Sequence, residues 1–326
     1  MSLKNVSLKR IASELNVSIN TVSHALRDMD DVSDETKAKV RKKAIELGYM
    51  PNHVAQKMHK DEKPLVAIVI DSLSNLYFNT FINELTNLLR QKGEYDFLLL
   101  YSSELNTDVI KQCILQRVDM LITHMAFGEE VYEFARLNDI RIIFVGSCMK
   151  GFAVDNVSID NFMGCVLAAR HLESFKDENK YLYVGLDYFL SAHRYSIFKT
   201  ELKEIAGESE VGLFNYEKKD IAVLYSYVKD GYRKIFFYND MLAYEVMAKL
   251  EKLAPGFRKN FPDVHIVGFD GLSGYVYGLE EIDSVEINFS EFAEATYRVM
   301  QTRLENLDGK MQTVILPVSL HLKSVT

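Results

Sequence analysis

Hydrophobic and polar residues alternate with the spacing of a helix in three short stretches of the first fifty positions. The apolar positions that share a face are Leu8, Ile11, Ala12 and Leu15, then Val22, Ala25 and Leu26, and finally Val40, Ala44 and Leu47. Ser7, Ser18 and Ser33 stand just before the three stretches, and serine is a preferred N-cap residue. The pattern predicts three short helices whose apolar faces close a minimal core.

The connection between the first two predicted helices is very short, because only Asn16 and Val17 separate Leu15 from Ser18. Such a connection holds two helices at a steep angle, which is the arrangement of a helix-turn-helix. We therefore expect residues 1–50 to form a helix-turn-helix head.

The pattern changes at Leu65, where apolar runs begin to alternate with amphipathic helices. Strands are predicted at 65–70, 96–101, 120–123 and 140–145, then near 181–185, 234–238 and 265–269, with a final strand near 314–322. Helices are predicted near 77–91, 107–116, 129–137, 161–172, 193–205, 242–253 and 291–304. This alternation indicates an α/β fold built as two doubly wound lobes.

Residues 51–63, between the head and the lobes, carry the signals of a short hinge helix and a charged linker. Pro51 blocks continuation of the third helix, and Asn52 can cap a new helix that reaches Met58. A helix this short is marginal in water and needs a partner to fold, which is what a DNA-controlled hinge requires. The two-lobed domain would then be 64–326, with lobe 1 at about 64–158 and 287–312 and lobe 2 at about 159–286 and 313–326.

The charge distribution separates the head from the rest of the chain. Residues 1–63 carry 12 Lys and Arg against 9 Asp and Glu, whereas residues 64–326 carry 26 against 37. A locally basic head on an acidic body is compatible with phosphate contact at one end only. Because no apolar run approaches the roughly 18 residues that span a membrane and no signal peptide opens the chain, we expect a cytoplasmic protein without a membrane partner.

The segment from Val17 to Leu26 has the properties of a helix that reads DNA bases. Asn20 can bond an adenine edge in two places, Ile19 can pack on a thymine methyl group, and His24 can donate to a guanine acceptor. Small hydroxyl side chains that can donate to phosphates are those of Ser18, Thr21 and Ser23. A helical hairpin in some other interaction domain would explain the same pattern.

The stretch from Val6 to Met58 closely resembles the head of the lac repressor family of bacterial transcription regulators. The matching segments are Ile11-Ala12, Val17-Ser18, Thr21-Val22-Ser23, Val32-Ser33-Asp34-Glu35-Thr36, Glu46-Leu47-Gly48-Tyr49 and Pro51-Asn52. The resemblance implies that Ile19, Asn20 and His24 read bases. It also implies that a helix containing Asn52, Ala55 and Met58 enters the minor groove as a pair in a homodimer bound to a pseudo-palindromic operator.

This chain departs from that family pattern at two positions of the head. His24 stands where the family usually has Arg, so it would read guanine more weakly than a bidentate Arg and could make binding mildly pH-sensitive. Met58 replaces the usual Leu wedge, yet methionine is apolar and flexible enough to enter between bases. No heptad helix follows the last predicted strand, so we expect a dimer.

The resemblance continues through residues 64–326 and implies two lobes of periplasmic-binding-protein-like architecture that hold a small-molecule effector. The residues implied to face this effector are Tyr77, Phe78, Asp160, Arg194, Asn239 and Asp270. Asn239 and Asp270 also follow carboxyl ends of predicted strands, where open α/β sheets bind ligands. The alternatives are core packing for the two rings, a solvated arginine, and a turn cap for Asp270.

Such side chains suit a polyhydroxyl ligand, because polar groups bond the hydroxyls and rings cover the apolar face. We favour a sugar or sugar derivative over a nucleobase, although Gly271 stands where relatives often carry a second acid. We expect the effector to shift the arrangement of the lobes and so control the operator affinity of a repressor.

Sequence motifs that would indicate an enzyme are missing: GxGxxG after the first strand, GxxxxGK[ST], HExxH and GxSxG do not occur. The eight histidines share no metal-ligand spacing, and the three cysteines form no CxxC pair. We therefore predict no catalytic residues, no metal and no cofactor. The alternative function is a cytoplasmic sugar-binding protein or an enzyme on the same two-lobed fold.

Overall fold

The computed structural model describes residues 8–26, 29, 31–47, 63–147, 151–176, 179–207, 209–306 and 309–323. The predicted hinge, with Asn52, Ala55 and Met58, lies outside the described residues. Within the described residues, the chain forms a group of three helices followed by two parallel-type sheets of six strands each. This order confirms the predicted fold class.

The head consists of α1 (Leu8–Leu15), α2 (Ile19–Leu26) and α3 (Asp34–Glu46). Its core is small and consists of Ile11, Ala12, Val22, Ala25, Val40 and Ala44. The turn between α1 and α2 contains Asn16 at a φ of 54°, a left-handed conformation that asparagine tolerates better than most residues. Val17 N–H donates to the Ala12 carbonyl at 3.0 Å, so this turn has a defined geometry.

The first sheet has the strand order β11-β5-β4-β3-β1-β2. Its strands are β1 (Leu65–Ile70), β2 (Asp96–Tyr101), β3 (Met120–Thr123), β4 (Arg141–Gly146), β5 (Asp155–Ile159) and β11 (Thr313–Leu316). Along the chain they are connected by α4 (Leu76–Lys92), α5 (Thr107–Leu115) and α6 (Glu129–Leu137). The pairs of β1 with β2, β1 with β3 and β3 with β4 are parallel, as the buried apolar runs predicted.

The second sheet has the strand order β12-β10-β9-β8-β6-β7. Its strands are β6 (Lys180–Gly185), β7 (Glu210–Asn215), β8 (Lys234–Phe237), β9 (His265–Asp270), β10 (Asp283–Glu286) and β12 (Ser319–His321). The helices of this region are α7 (Asn161–Glu173), α8 (Phe189–Ile205), α9 (Ile221–Lys229), α10 (Asp240–Leu253) and α11 (Phe257–Asn260). α12 (Phe289–Glu305) follows β10 along the chain, and its residues from Tyr297 onward belong to the first compact unit. β12 runs antiparallel to β10, whereas the pairs among β6, β7, β8, β9 and β10 are parallel.

The strands that sequence reasoning missed contain polar residues whose partners lie far away in the chain. In β5, the buried carboxylate of Asp155 accepts from Nε and Nη2 of the buried Arg303 at 2.6 and 2.9 Å. In β10, the buried hydroxyl of Ser284 donates to Asp240 at 2.6 Å. Because these partners are 148 and 44 positions away, a local hydrophobic pattern could not reveal the strands.

The predicted final strand near 314–322 is two strands in the structure, because Pro317 follows β11 directly. β11 belongs to the first sheet and β12 to the second. β7 and α9 were also missed, and β7 is an edge strand that contains Gly212, a residue that weakens a strand pattern. In the described ranges no helix is long and apolar enough to cross a membrane, and no group of three or more His, Cys, Asp or Glu could hold a metal.

Candidate functional site

The N-terminus of α2 is held by the hydroxyl groups of Ser18 and Thr21. Ser18 Oγ accepts from the Thr21 N–H at 3.0 Å and lies 2.8 Å from Thr21 Oγ1, which is the geometry of an N-cap. The cap fixes where α2 begins and therefore which of its side chains face outward. Ser18 thus has a structural role in addition to the phosphate contact predicted for it.

The two faces of α2 divide core formation from recognition. Val22 and Ala25 are buried in the head core, whereas Ile19 is 46% exposed and Asn20 is also exposed. The remaining predicted contact residues, Thr21, Ser23 and His24, are partly exposed. A helix with this exposed face can present side chains to base edges, and the individual DNA contacts remain predictions.

His24 has a partner that the sequence did not suggest. Its Nδ1 lies 2.6 Å from Asp31 Oδ2, in the loop that follows α2. Asp31 lies beyond the end of α2 at Leu26, so the spacing of residues along the helix does not predict this contact. Sequence reasoning could have noticed only that an acid follows the base-reading segment.

Arg194, in α8, lies at the centre of a second group of polar side chains and is only 4% exposed. Its Nε and Nη2 donate to Asn161 Oδ1 at 3.0 and 2.7 Å, and its Nη1 donates to the Tyr238 carbonyl at 2.5 Å. The guanidinium also stacks on the Phe269 ring, 3.5 Å from its centroid. The alternative of a solvated arginine is therefore wrong.

Asp270 ends β9 with its side chain 4% exposed and its backbone at a φ of 117°. A non-glycine residue rarely adopts this conformation, and such strain concentrates at functional sites. Among the described residues, no group hydrogen bonds to the Asp270 carboxyl. Burial and the nearby Asp240 raise the pKa of Asp270 well above its usual range, and the charge of Arg194 opposes this.

Asp240, the first residue of α10, is the second buried carboxyl of this group. Its Oδ2 accepts from the Leu272 N–H at 2.8 Å and its Oδ1 from Ser284 Oγ at 2.6 Å. Burial raises the pKa of Asp240 to about 7, although these hydrogen bonds favour the charged form. A Cβ at position 268 would lie 2.0 Å from Asp240 Oδ1, so Gly268 is required for this close approach.

Tyr77 packs its ring against other aromatic side chains, and its predicted contact with a ligand stays a prediction. Its ring packs edge-on against Phe78 and Phe289, with centroids 4.7 and 5.3 Å apart. Its hydroxyl is buried and has no hydrogen-bond partner among the described residues. Burial, followed by the charge of Asp270, raises the pKa of Tyr77, so the hydroxyl stays protonated and can donate.

Asp160 and Asn239 hold helix termini. Asp160 Oδ1 accepts from the Met163 N–H at the start of α7, and Asn239 Oδ1 accepts from the Leu242 N–H at the start of α10, each at 2.9 Å. One side-chain oxygen of each residue is thus used inside the protein. Their predicted contacts with a ligand stay predictions.

We call the group of Arg194, Asn161, Tyr238, Asp270, Asp240 and Tyr77 the Arg194 cluster. It joins three of the predicted effector residues, Tyr77, Arg194 and Asp270, with three that sequence reasoning missed. Tyr238 follows β8 directly, so the rule that ligands bind at carboxyl ends of strands could have found it. The Tyr188 ring, 5.0 Å from that of Tyr238, adds an aromatic side chain beside the cluster.

Residues 7–52, which include the head, match the family model "Bacterial regulatory proteins, lacI family". Among curated relatives, the HTH-type transcriptional repressor PurR of Vibrio atlanticus is 24% identical over 93% of both chains. The HTH-type transcriptional regulator RegA of Clostridium saccharobutylicum is 28% identical, and its match spans 48% of each chain.

Two solved structures share the fold along nearly the whole chain. The transcriptional regulator CelR in complex with cellobiose has a TM-score of 0.64 at 17% identity and covers 97% of this chain and 98% of its own. The lac repressor dimer bound to operator and the anti-inducer ONPF has a TM-score of 0.64 at 18% identity and covers 98% of both chains. The head of this chain therefore matches the lacI family model, and the chain is similar to a lacI-type regulator over most of its length.

Proposed function

We propose that this protein is a sequence-specific DNA-binding transcription regulator, acting as a repressor, whose operator affinity is controlled by a small molecule. The observation that carries this proposal is the exposed face of α2, with Ile19, Asn20 and His24 outward on a closed three-helix core that matches the lacI model. The net positive charge of residues 1–63 supports phosphate contact by the same part of the chain.

The effector is bound by the Arg194 cluster. Two groups in it support a ligand with hydroxyl groups: the Tyr77 hydroxyl, buried without a partner, and the Asp270 carboxyl, buried without a hydrogen bond among the described residues. A buried polar atom that lacks a partner is costly, and a ligand that supplies donors and acceptors removes this cost. Ser18, Thr21, Ser23, Phe78, Asp160 and Asn239 remain proposed contacts to DNA or effector.

An uncharged ligand fits the charges of the cluster best. The Arg194 guanidinium is already bonded to neutral oxygens of Asn161 and Tyr238, so its N–H donors are used inside the protein. An anionic ligand would meet both buried carboxyls, which disfavours a sugar phosphate. The cellobiose bound to CelR is a neutral sugar, and we propose a sugar or sugar derivative as the effector here.

The proposed assembly is a homodimer whose two heads read a pseudo-palindromic operator, as the lac repressor structure is a dimer bound to operator. Residues 1–50 would be the head and 51–63 the hinge and linker, with Asn52, Ala55 and Met58 in the minor groove. Residues 64–326 would bind the effector and dimerise. We further propose that the protein acts in the cytoplasm and is not an enzyme, in line with relatives that are named as regulators.

A ligand screen followed by DNA binding tests this function. We expect neutral sugars, rather than sugar phosphates or nucleobases, to raise the melting temperature. The same sugar should change the affinity of the full chain for its own promoter in a gel shift. Chromatography before and after incubation should show the ligand unchanged. Conversion of the ligand would favour an enzyme, and a chain without salt-sensitive preference for any upstream sequence would contradict a regulator.

A further inference from the structure

The hydrogen bond between His24 and Asp31 determines which ring nitrogen of His24 carries a proton. Nδ1 lies 2.6 Å from Asp31 Oδ2, and an ionised carboxylate can only accept. Nδ1 must therefore be the donor. In the neutral imidazole the other nitrogen, Nε2, is then without a proton and acts as an acceptor, whereas in the protonated imidazole Nε2 is a donor.

The two states of the ring suit different base edges in the major groove. A donor at Nε2 can bond guanine N7 or O6, which is the contact expected from the sequence. An acceptor at Nε2 cannot make that bond, but it can accept from the exocyclic amino group of adenine or cytosine. The protonation state of His24 thus changes the identity of the preferred base, in addition to the strength of binding.

We propose that Asp31 is a positioning residue for base selection, which fixes the tautomer of His24 so that this side chain selects an amino-bearing base when neutral and guanine when protonated. The proposal rests on the proposed DNA-binding function. It assigns to Asp31 a role in specificity that follows from its contact with a residue on the exposed face of α2.

Among the described residues, Asp31 is the charged side chain bonded to the His24 ring. The helices packed against α2 pair many of their own charges. These pairs are Arg10 with Glu14, Lys43 with Glu14 and Glu46, Lys37 with Asp34, and Lys39 with Glu35. The other charged residues of these helices are Lys9, Arg41 and Lys42, and those of the α2–α3 segment that lie outside the described residues are Arg27, Asp28 and Asp30.

The first experiment selects bound sequences from a pool of random duplexes with the full chain at about pH 5.5 and about pH 8.5. We expect one position in each half-site to change from guanine to adenine or cytosine as the pH rises. The ratio of the two preferences should change by about tenfold or more, the size of a good base contact. Preferences that are identical at both pH values would overturn the proposal.

The variant Asp31→Ala tests whether Asp31 acts by fixing the tautomer of His24 or only through its negative charge. Without the carboxylate, the neutral ring can place its proton on either nitrogen, so the preference for an amino-bearing base at alkaline pH should disappear while the guanine preference at acidic pH persists. Asp34→Ala is the matched control, because Asp34 is a fully exposed acid of the same head that pairs with Lys37 at 3.8 Å. The control should keep the wild-type change with pH.

A second measurement needs no DNA and remains informative if Asp31→Ala weakens the head. Nitrogen NMR of the full chain at alkaline pH should show the His24 proton on Nδ1 in the wild type, and on either nitrogen in Asp31→Ala. A wild-type proton on Nε2, or base preferences of Asp31→Ala identical to the wild type, would overturn the role of Asp31. Absence of any sequence preference at either pH would instead contradict the regulator proposal itself.

Discussion

The exposed face of α2 and the Arg194 cluster place recognition groups in opposite ways. On α2, Ile19 and Asn20 are exposed, whereas Val22 and Ala25 are buried in the head core and Leu26 packs against it. In the Arg194 cluster, the groups proposed to bind a ligand are themselves part of the protein interior, and Asp240 has no exposed surface at all. Mutations should therefore separate binding from stability in the head but change both together in the cluster.

The largest effect is expected for a substitution that removes a buried side chain from the head core. Ile11 is fully buried among the few residues of the head core, and Ile11→Ala should cost about 2–5 kcal/mol. A core this small has little stability to lose, so we expect gel shifts to show no specific DNA binding. Effector binding by residues 64–326 should persist in a thermal shift assay. Ile11→Val, at about 0.5–1.5 kcal/mol, is the matched control, and specific binding by Ile11→Ala would contradict this account of the head.

Arg194→Ala should abolish the ligand response and also destabilise the protein by about 2–5 kcal/mol. The substitution leaves Asn161 Oδ1 and the Tyr238 carbonyl without their donor and Asp270 without a nearby positive charge. Urea unfolding and ligand titration measure the two effects. Arg136→Ala removes an exposed arginine paired with Glu133 and should change neither by more than about 0.5 kcal/mol. Retained induction would remove Arg194 from the effector site.

The two buried carboxyls should make the stability depend on pH. Their folded pKa values are raised above that of an exposed aspartate, to about 7 for Asp240, so the folded protein binds more protons than the unfolded chain. This contribution is fully present below about pH 4 and is lost as the pH rises through the folded pKa values. Asp270→Asn removes one of the two charges without removing a hydrogen bond among the described residues.

We therefore expect Asp270→Asn to melt at a higher temperature than the wild type at about pH 8 and to lose this advantage near pH 4. A gain of about 1 kcal/mol corresponds to about 2–4 °C for a domain of this size. Thermal melts across the pH range measure the difference. A wild type and variant whose melting temperatures run parallel with pH would show that Asp270 does not titrate in this window.

The smallest effect is expected for a substitution on the exposed face of α2. Ile19→Ala should leave the melting temperature unchanged, since Ile19 is nearly half exposed. It should weaken specific operator binding by about 1 kcal/mol through loss of an apolar contact with a base, and leave non-specific binding unchanged. Leu115→Ala, which removes another exposed apolar side chain in α5, should change neither property. A drop in stability for Ile19→Ala would mean that this face also supports the core.

The helices of the head and the apolar parallel strands were predictable because their signals are local. The predicted bounds of β1, β2 and β3 agree with the structure to the residue. β5 and β10 were missed because Asp155 and Ser284 are buried beside partners that are distant in sequence. For the candidate site, Arg194 and Asp270 were found through the family pattern and strand ends, whereas Asn161 acts through a hydrogen bond to Arg194 that no local pattern contains.

The order of residues along the chain predicts where the helices begin and which strands are buried. It also predicts that a basic three-helix segment precedes two α/β sheets. Those properties depend on side-chain periodicity, caps and charge within a few positions. Only the tertiary structure decided that Asp31 bonds the His24 ring and that Asp240 and Asp270 are buried as a pair beside Arg194. The physical reason is that protonation and hydrogen bonding depend on distances of a few ångströms between groups, and sequence spacing does not determine those distances.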